Sequence, residues 1–427
     1  MSAGPVLYRA AWVCPGGQPP IKNGCVLVVD GRIAAVEPYR ESLELPRLCR
    51  TVDLGSVAIV PGLVNAHTHL EFSQLKQPLG QPGIKFTDWV RLVVSKRNAS
   101  SHDDPQSKHR SIVAGIQESF QAGVWAIGDI GTNPVGENAY LLAEHQTPVH
   151  TTLFLEQLGR NEQLLDQHRS QLDVHLLKSD LAPESFTCGA SPHATYSVTW
   201  GLHDQICAAA KKHNRFVAMH VAETRAERQL CDSLTGDFVD LLQGFDAWDP
   251  ETFAPRRSIK GFLGRLSQAP RSLVVHGNYL DSDELDLVQR NKNMSIVFCP
   301  RTHRFFQHSP YPLQAMLDRQ INVAVGTDSR ASNPDLNLFA DLQLIAADFP
   351  ELSAMDVLKL GTANGALALG REGELGTLAV GKQAAISCVV NDDLNAGQKD
   401  ALVDEWLFDL NSRCAPVIDG DFISGDR

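Results

Sequence analysis

Several apolar segments of this sequence end on a side chain that can bind a metal ion or transfer a proton. These side chains belong to His67, His69, His193, His220, Glu223, His276 and Asp328. His67 and His69 are two residues apart, so on a strand both point to the same side and can bind one ion together. An imidazole from His220 and a carboxylate from Asp328 would complete a nitrogen and oxygen donor set suited to Zn²⁺ or Fe²⁺.

Each of these residues also has an ordinary structural interpretation. A single buried histidine is usually a hydrogen-bonded core residue, and a His-x-His pair alone is weak evidence for a metal site. The combination is harder to explain in that way, because burying many titratable groups costs several kcal/mol unless they are paired or bound to metal. We therefore interpret the set as a metal-dependent catalytic site.

Eight apolar segments recur along the chain with amphipathic, helix-like stretches between them, which predicts eight buried parallel strands. The predicted strands are 62–70, 124–130, 149–157, 186–194, 216–223, 272–278, 295–300 and 322–328. Eight strand–helix units in about 300 residues fit a (β/α)₈ TIM-like barrel, in which the carboxyl ends of all strands open on one face. The alternative is an open doubly wound sheet, but no G-x-G-x-x-G follows a strand.

Short strands separated by turns occur near both ends of the chain, and Asp30–Gly31 has the sequence of a hairpin turn. This pattern predicts a small β-sandwich domain built from both termini. We place that domain at 1–58 and 376–427, and the barrel catalytic domain at 59–375. One long segment, 241–264, interrupts the alternation between the fifth and sixth predicted strands, either as a plain insertion or as an extended loop or lid.

The overall composition excludes several classes of protein. Of 427 residues, 43% are apolar and 21% are charged, which is typical of a globular protein rather than a disordered or fibrous one. The 38 Lys and Arg against 50 Asp and Glu give a net charge of −12, which argues against a nucleic-acid or anionic-membrane surface. Nine cysteines without a C-x-x-C pair, no export signal and no long apolar run predict a soluble cytoplasmic protein with reduced thiols.

Four segments resemble the signature motifs of the amidohydrolase superfamily. They are PGLVNAHTHLEFS (61–73), HVAET (220–224), VVHGN (274–278) and GTDSRASN (326–333). The branch they most resemble contains the aminohydrolases of nucleobases and nucleosides and the triazine chlorohydrolases. The resemblance covers nearly the whole chain, including the terminal stretches DGRI and GTLAVGKQA. It departs from the usual pattern at Ala385, where the family commonly has Asp, in a turn remote from the chemistry.

The resemblance implies a role for each residue at the strand ends. The metal ligands would be His67, His69, His220 and Asp328. Glu223 would carry protons to and from the substrate, His276 would polarise the group under attack, and Asp328 would accept the proton of the attacking water. Family members with two metals usually carry a bridging lysine at the fourth strand, where this chain has SPHATYSVT (191–199). We therefore expect one divalent ion per chain, Zn²⁺ first and Fe²⁺ second.

Glu223 favours hydrolytic deamination of a heteroaromatic ring, because that reaction requires a proton on a ring nitrogen. The expected substrate is the adenine of a modified nucleoside. HTHLEFS is more similar to the aminodeoxyfutalosine deaminases than to the methylthioadenosine and S-adenosylhomocysteine deaminases, so aminodeoxyfutalosine comes first. One alternative is hydrolysis of a C–Cl or cyclic amide bond, in a triazine or a related ring, at the same metal. Another is a non-catalytic binding protein on this fold.

Further residues are candidates for contact with a small heterocyclic substrate. By resemblance, Asp88 and Trp89 would face the ribose and the base, and His193 would contact the base. Arg301 and His303, after the seventh strand, could face a substrate carboxylate. The structural alternatives are a helix N-terminal acid, a core tryptophan, a turn histidine and an ordinary solvated loop. Barrel enzymes of this kind are often homodimers, and the oligomeric state is left open.

Overall fold

The computed structural model describes residues 4–101, 105–132, 147–159, 165–178, 185–251, 253, 258–391, 402–418 and 421–422. Two sheets organise this part of the chain, one built from strands near both termini and one of eight strands paired in chain order. Within these ranges no helix is both long enough and apolar enough to span a bilayer.

Strands from both ends of the chain form the first sheet. They are β1 (Val6–Val13), β2 (Ile21–Val29), β3 (Arg32–Pro38), β4 (Arg50–Asp53), β5 (Ala58–Pro61), β14 (Ile386–Asn391), β15 (Ser412–Ile418) and β16 (Asp421–Phe422). The order is β16-β15-β14-β5-β1-β2-β3, with β4 paired to β1. The Asp30–Gly31 turn joins β2 to β3 with φ of 49° and 72°, as a type I′ hairpin requires. Val13, Ile59 and Ile386 pack in the core of this sheet.

The second sheet consists of eight strands that are hydrogen-bonded in the order in which they occur in the chain. They are β6 (Leu63–Thr68), β7 (Val124–Gly131), β8 (His150–Gln157), β9 (Phe186–Pro192), β10 (Val217–Val221), β11 (Ser272–His276), β12 (Met294–Phe298) and β13 (Asn322–Val325). Neighbouring strands from β8 to β13 run parallel. The prediction of a (β/α)₈ barrel is confirmed.

The two ends of this strand series meet beside the predicted metal site. Beyond β13, the Asp328 N–H donates to the carbonyl oxygen of His67 at 3.1 Å, so the last strand approaches the first and the barrel is nearly closed. Gly326 allows this approach, because a Cβ at that position would lie 2.7 Å from the same carbonyl oxygen. A side chain at residue 326 would therefore push the two strands apart.

Helices alternate with the strands, and several begin at a side-chain cap such as Thr199, Thr224 or Asp281. The helices of the described residues are α1 (Phe86–Ser101), α2 (Pro105–Gln121), α3 (Leu165–Lys178), α4 (Trp200–Lys212), α5 (Arg225–Ser233), α6 (Asp237–Gly244), α7 (Ile259–Leu266), α8 (Ser282–Arg290), α9 (Pro300–Phe305), α10 (Leu313–Asp318), α11 (Leu338–Asp348), α12 (Ala354–Leu360), α13 (Ala363–Ala368) and α14 (Val403–Trp406). The segment 241–264, left open by the sequence, is helical at both ends, since it includes the end of α6 and most of α7.

The chain divides into two compact units. One combines Met1–Asn65, Gln117–Ala126 and Asn337–Arg427, and the other combines Ala66–Ile116 and Ile127–Leu336. Every candidate catalytic, metal and substrate residue belongs to the second unit. The domain boundaries placed from the sequence stay a prediction.

Candidate active site

Four side chains of the predicted metal site converge at the end of the barrel strands. They belong to His67, His69, His220 and Asp328, and all of them are buried. The Nε2 atoms of His69 and His220 are 3.3 Å apart. The Oδ1 atom of Asp328 lies 3.7 Å from Nε2 of both His67 and His69. The structure therefore brings together the four residues proposed as ligands.

Glu223 and His276 lie beside this group. Glu223 follows β10 and His276 ends β11, and the Glu223 Oε1 and His276 Nε2 atoms are 3.4 Å apart. Glu223, His276 and Asp328 each offer one ligand atom within 4.8 Å of the others. A buried acid and a buried imidazole thus face the same small space as the proposed metal ligands.

Three of the strands end in the left-handed region of the backbone. The φ angle is 54° at Ala222, which follows β10, 69° at His276 and 56° at Asp328, which follows β13. This conformation costs of order 1–3 kcal/mol for a residue other than glycine and persists only where its surroundings hold it. Such residues cluster at functional sites. The strain at these strand ends therefore supports a functional role for the side chains they carry.

Glu227, which the motifs in the sequence did not single out, holds the strained end of β10. Its buried carboxylate accepts the N–H groups of Ala222 at 3.1 Å and Glu223 at 2.7 Å, and the hydroxyl of Thr195 at 2.7 Å. One sequence signal could have found it, because Thr224 and Glu227 have the T-x-x-E spacing of a helix start. The Thr224 side chain does accept the N–H of Glu227 at 3.0 Å.

Two further buried side chains hold neighbouring strand ends. The Tyr311 hydroxyl donates to the carbonyl oxygen of His276 at 2.9 Å, where the backbone is strained. Asp129, in β7, accepts the N–H of Leu70 at 2.8 Å, directly after His69. These polar groups replace water around the backbone of the strand ends, so the site is fixed by hydrogen bonds as well as by packing.

Burial favours the neutral form of three imidazoles at the site. It lowers the pKa of His69 to about 3 and that of His276 to about 3, and it lowers the pKa of His220 well below its ordinary value. Burial alone would raise the pKa of Asp328, but His67 and the other nearby imidazoles hold it below its ordinary value. A neutral imidazole and an ionised carboxylate are the protonation states that bind a metal ion.

The spacing of the donor atoms fits one divalent metal ion. Two nitrogens bound to a tetrahedral zinc at about 2.0–2.1 Å lie roughly 3.3 Å apart. The two Nε2 atoms of His69 and His220 have this separation of 3.3 Å. The His220 Nδ1–H donates to the carbonyl oxygen of His193 at 2.8 Å, which leaves the Nε2 lone pair to face the site.

A second polar group lies next to the metal site. His193 follows β9, and its Nδ1 is 2.7 Å from the Ser197 hydroxyl, while its Nε2 is 3.7 Å from Oε1 of Glu156 in β8. Arg97 of α1 reaches the other carboxylate oxygen of Glu156 with Nη1 at 3.4 Å. Burial alone would raise the pKa of Glu156, but His193 and Arg97 hold it below its ordinary value. No sequence motif marks Glu156 or Arg97.

A cavity of about 590 Å³ gives access to these residues. We call the group of titratable side chains around the proposed metal site the polar floor, which consists of His69, His193, His220, Glu223, His276 and Asp328. We call one apolar part of the lining the apolar wall, which consists of Phe86, Trp89, Val90, Val93 and Val94 of α1 with Leu241, Leu242, Phe245 and Trp248 of the segment 241–249. Sites for small molecules have such a volume and such a mixture of an apolar lining with a few convergent polar groups.

The predicted substrate-contacting residues have different positions relative to this cavity. Trp89 and His193 line it, and the Trp89 indole N–H donates to the carbonyl oxygen of Ala331 at 2.9 Å. Asp88 is not among the lining residues. Its side chain is 57% exposed and pairs with Arg91 at 2.7 Å. Consecutive residues of a helix point in different directions, so Asp88 does not share the face that carries Trp89.

Arg301 and His303, which lie in α9 directly after β12, are also absent from the cavity lining. The His303 ring packs against Phe298 and Tyr311, with ring centroids 5.7 and 5.6 Å apart. The Arg301 guanidinium is held by the Asp335 carboxylate at 2.7 Å. Local packing and a local ion pair therefore account for both side chains, which the sequence placed near a substrate carboxylate.

Comparison with known proteins agrees with this geometry. The model of the Amidohydrolase family matches residues 58–411. The chain is 29% identical to an aminodeoxyfutalosine deaminase of a Nitratiruptor species, over 84% of this chain and 85% of that protein. It is 27% identical to a 5-methylthioadenosine/S-adenosylhomocysteine deaminase of Nitratidesulfovibrio vulgaris, over 88% and 80% of the two chains.

A solved structure shares the fold. The crystal structure of Helicobacter pylori aminofutalosine deaminase in complex with methylthio-coformycin superposes with a TM-score of 0.80 at 20% sequence identity, and the match covers 98% of this chain and 99% of that chain. The family model spans most of the sequence and includes every strand of the barrel and every residue of the polar floor. The chain therefore belongs to the amidohydrolase family.

Proposed function

We propose that this protein is a hydrolytic deaminase that releases ammonia from an amino-substituted heteroaromatic ring. The environment of Glu223 is the observation that carries the proposal. Its carboxyl is buried on the polar floor, and burial, Asp328 and Glu227 raise its pKa well above the ordinary value. A buried carboxyl that holds a proton is suited to protonate a ring nitrogen before the amino group leaves.

The reaction would use one divalent ion, and the three imidazoles and one carboxylate favour Zn²⁺, with Fe²⁺ as the second candidate. The residues that would hold the ion are His67, His69, His220 and Asp328. When bound, such an ion lowers the pKa of water towards about 7 and so supplies hydroxide at neutral pH.

Asp328, Glu223 and His276 would divide the remaining work. The Asp328 carboxylate would accept a proton from the attacking water, and it is fixed by the Ser329 N–H at 2.7 Å and the Ser332 hydroxyl at 3.3 Å. Glu223 would give its proton to the ring nitrogen and later carry a proton to the leaving amine. The His276 Nε2, 3.4 Å from the Glu223 carboxyl, would hydrogen-bond to the oxygen on which charge develops.

The proposed substrate is the adenine of a modified nucleoside. The two relatives described above are named for adenine nucleosides, which supports this class. Trp89 offers an aromatic ring for the base and His193 a hydrogen-bonding group, both at the cavity surface. Aminodeoxyfutalosine is the first candidate, and methylthioadenosine and S-adenosylhomocysteine are the second.

Ammonia release by the zinc-loaded protein tests the proposal. The panel contains aminodeoxyfutalosine, methylthioadenosine, S-adenosylhomocysteine, adenosine, guanine and cytosine. We expect release from one adenine nucleoside, with a shift of its ultraviolet band as the amino group is replaced. Silence across the panel with metal bound would contradict an adenine nucleoside as the substrate, would leave the hydrolase assignment standing and would direct the search to triazines, pterins and cyclic amides.

We also propose that the protein works in the cytoplasm. No disulfide joins the nine cysteines, which is the state expected in a reducing compartment. Fractionation of cells that produce the tagged protein tests this location, and enrichment in an exported fraction would contradict it. The homodimer stays a prediction that light scattering can check.

A further inference from the structure

We propose that Arg228 is a positioning residue that keeps the Glu223 carboxyl and the His276 imidazole at a fixed separation. The inference rests on the proposed deaminase function and deepens it. Arg228 is absent from the described residues that line the cavity, so its role lies behind the site rather than at the substrate. It would act by holding the loop 277–281, which follows His276, against the end of β10, which Glu223 follows.

The loop 277–281 is joined to the end of β10 by hydrogen bonds. The Tyr279 N–H donates to the carbonyl oxygen of Ala222 at 2.9 Å. The Asn278 Nδ2 donates to the carbonyl oxygen of Glu223 at 2.9 Å, and the Asn278 side chain is buried. The loop therefore lies directly against the backbone of the proposed proton carrier.

The Arg228 guanidinium holds the opposite side of this loop. Its Nη1 donates to the carbonyl oxygen of Tyr279 at 2.9 Å and to Oε2 of Glu284 at 2.8 Å. Its Nη2 donates to Oδ2 of Asp281 at 2.7 Å and to Oε1 of Glu284 at 3.2 Å. Tyr279 is therefore bound through its N–H to Ala222 and through its carbonyl oxygen to Arg228.

The two carboxylates that bind Arg228 also form the start of α8. The Asp281 side chain accepts the N–H of Glu284 at 2.9 Å, and the Glu284 side chain accepts the N–H of Asp281 at 2.8 Å, which is a capping box. Glu284 is buried. Hydrogen bonds between a guanidinium and carboxylates are strong and fix a direction. Arg228 therefore ties the start of α8, and the loop that leads to it, to α5.

A short and rigid stretch of chain connects Arg228 to Glu223. The helix α5 begins at Arg225, directly after the cap Thr224, so Arg228 is the fourth residue of the helix. Its neighbour Glu227 accepts the N–H of Glu223 at 2.7 Å. Consecutive residues of a helix point in different directions. The first turns of α5 thus reach two places, the end of β10 through Glu227 and the loop after β11 through Arg228.

The separation of the two functional groups depends on this connection. The Glu223 Oε1 and His276 Nε2 atoms are 3.4 Å apart, although they follow different strands. The φ of 69° at His276 persists only where the surroundings hold it. Without Arg228, the loop 277–281 and the start of α8 would lose the four hydrogen bonds to the guanidinium. We expect the imidazole then to lose its fixed place beside the carboxyl.

The constants kcat and KM of ammonia release test this role in the zinc-loaded wild type and the Arg228→Met variant. The substrate is the adenine nucleoside that the wild type deaminates. We expect kcat to fall about 10- to 100-fold, the range for reacting groups displaced by up to about 1 Å. KM should stay within about threefold, because Arg228 does not line the cavity.

Arg228→Lys is the conservative variant. It keeps the charge and loses the planar fork, so kcat should lie between those of Arg228→Met and the wild type. Melting curves check that both variants fold, and kcat is measured well below the lowest Tm. If Arg228→Met does not fold, Arg228→Lys carries the test alone, with a smaller fall in kcat at constant KM.

Arg319→Met is the matched control. The side chain of Arg319 is 29% exposed compared with 24% for Arg228, and it also binds α8, through Ser282 at 2.9 Å and Asp286 at 2.9 Å. Within the described residues, its hydrogen bonds reach α8 and α10 and not the loop 277–281. Its loss should lower Tm and leave kcat and KM unchanged.

Hydrogen–deuterium exchange tests the inference without a substrate. The measured peptide contains the loop 277–281, in which the Tyr279 N–H is bound to the carbonyl oxygen of Ala222. This peptide should exchange faster in Arg228→Met than in the wild type, because a loop with fewer contacts opens more often. In Arg319→Met the exchange should match that of the wild type.

Two kinetic results would overturn the inference. A lower Tm with unchanged kcat in Arg228→Met would show that Arg228 only stabilises the fold. A rise in KM at constant kcat would show that it acts on substrate binding instead. If the wild type releases ammonia from none of the nucleosides, the proposed adenine substrate fails separately. The exchange then decides about Arg228, since faster exchange in Arg228→Met supports the inference and unchanged exchange overturns it.

Discussion

The polar floor and the apolar wall line the same cavity, but different kinds of contact hold them in place. On the polar floor, buried hydrogen bonds fix the backbone beside each functional side chain. Glu227 accepts the N–H of Glu223 at 2.7 Å, and Tyr311 donates to the carbonyl oxygen of His276 at 2.9 Å. The strained φ of 69° at His276 shows that this backbone is held against its own preference.

The apolar wall is held by ring packing and is partly open. The Phe86 ring lies 5.1 Å from the Phe306 ring, and the Trp89 ring lies 5.2 Å from the same ring. Phe245, on the facing segment, is 41% exposed. Such contacts have no fixed direction and tolerate changes of shape better than buried hydrogen bonds do.

This difference separates chemistry from specificity within one cavity. A change on the polar floor should affect kcat or metal content, since each group there is held in one geometry. A change on the apolar wall should affect KM and leave kcat almost untouched, because wall contacts are made equally in the ground state and the transition state. Substitutions in the two regions test this division.

Asp328→Ala should have the largest effect. It removes the one carboxylate from the proposed ligand set and with it the proposed acceptor of the water proton, so activity should fall by about 10³-fold or more. Metal analysis measures the expected loss of bound metal, and ammonia release measures the expected loss of activity. Asp204→Ala, at an exposed acid paired with Arg265, is the control. A variant that kept both metal and activity would remove Asp328 from the site.

Glu223→Gln should lower kcat by roughly 10²- to 10⁴-fold, the usual range for a general acid–base group. The metal content should stay that of the wild type, because Glu223 lies outside the proposed ligand set. This combination distinguishes a proton carrier from a ligand. Full activity in the variant would contradict the deaminase mechanism and would favour hydrolysis of a C–Cl bond, which can proceed without ring protonation.

Glu227→Gln should have a smaller effect that still belongs to the polar floor. The glutamine side chain has only one acceptor oxygen for the two N–H groups of Ala222 and Glu223. Its NH₂ group would face the other N–H, so that two donors would meet. One buried donor left unsatisfied costs about 1–3 kcal/mol, so Tm should fall. Because Glu223 loses its fixed position, kcat should fall about 10- to 100-fold at nearly constant KM. A lower Tm with unchanged kcat would show that Glu227 only stabilises the fold.

The sequence predicts the polar floor more completely than the apolar wall. A polar residue at the end of a buried apolar strand stands out in the sequence. The strands themselves are also predicted closely, since the predicted strand 149–157 corresponds to β8 (His150–Gln157). His69, His220 and Asp328 come from distant parts of the chain, yet barrel topology requires strand ends to meet on one face. The T-x-x-E spacing marks Glu227 only as an acid at a helix start, because its hydrogen bonds to the strained end of β10 depend on a backbone conformation that the sequence does not reveal.

Helical periodicity explains why the apolar wall was harder to predict. It shows that Phe86, Trp89 and Val93 share a face, but not whether that face meets the core or a cavity. Asp88, one residue before Trp89, was expected near the ribose and lies on the exposed face instead. Arg97 carries no local motif, so its position in the cavity lining follows only from the packed structure.

Phe245→Ala should have the smallest effect and tests the apolar wall directly. Full burial of a phenylalanine contributes about 1.5–3 kcal/mol, and a half-exposed ring that a substrate covers should contribute roughly 1 kcal/mol of binding. KM should therefore rise about fivefold, while kcat and Tm stay close to wild type. Leu177→Ala, at an exposed residue of α3, is the control. A fall in kcat at constant KM would contradict the division between wall and floor, because it would mean that Phe245 helps to shape the polar floor.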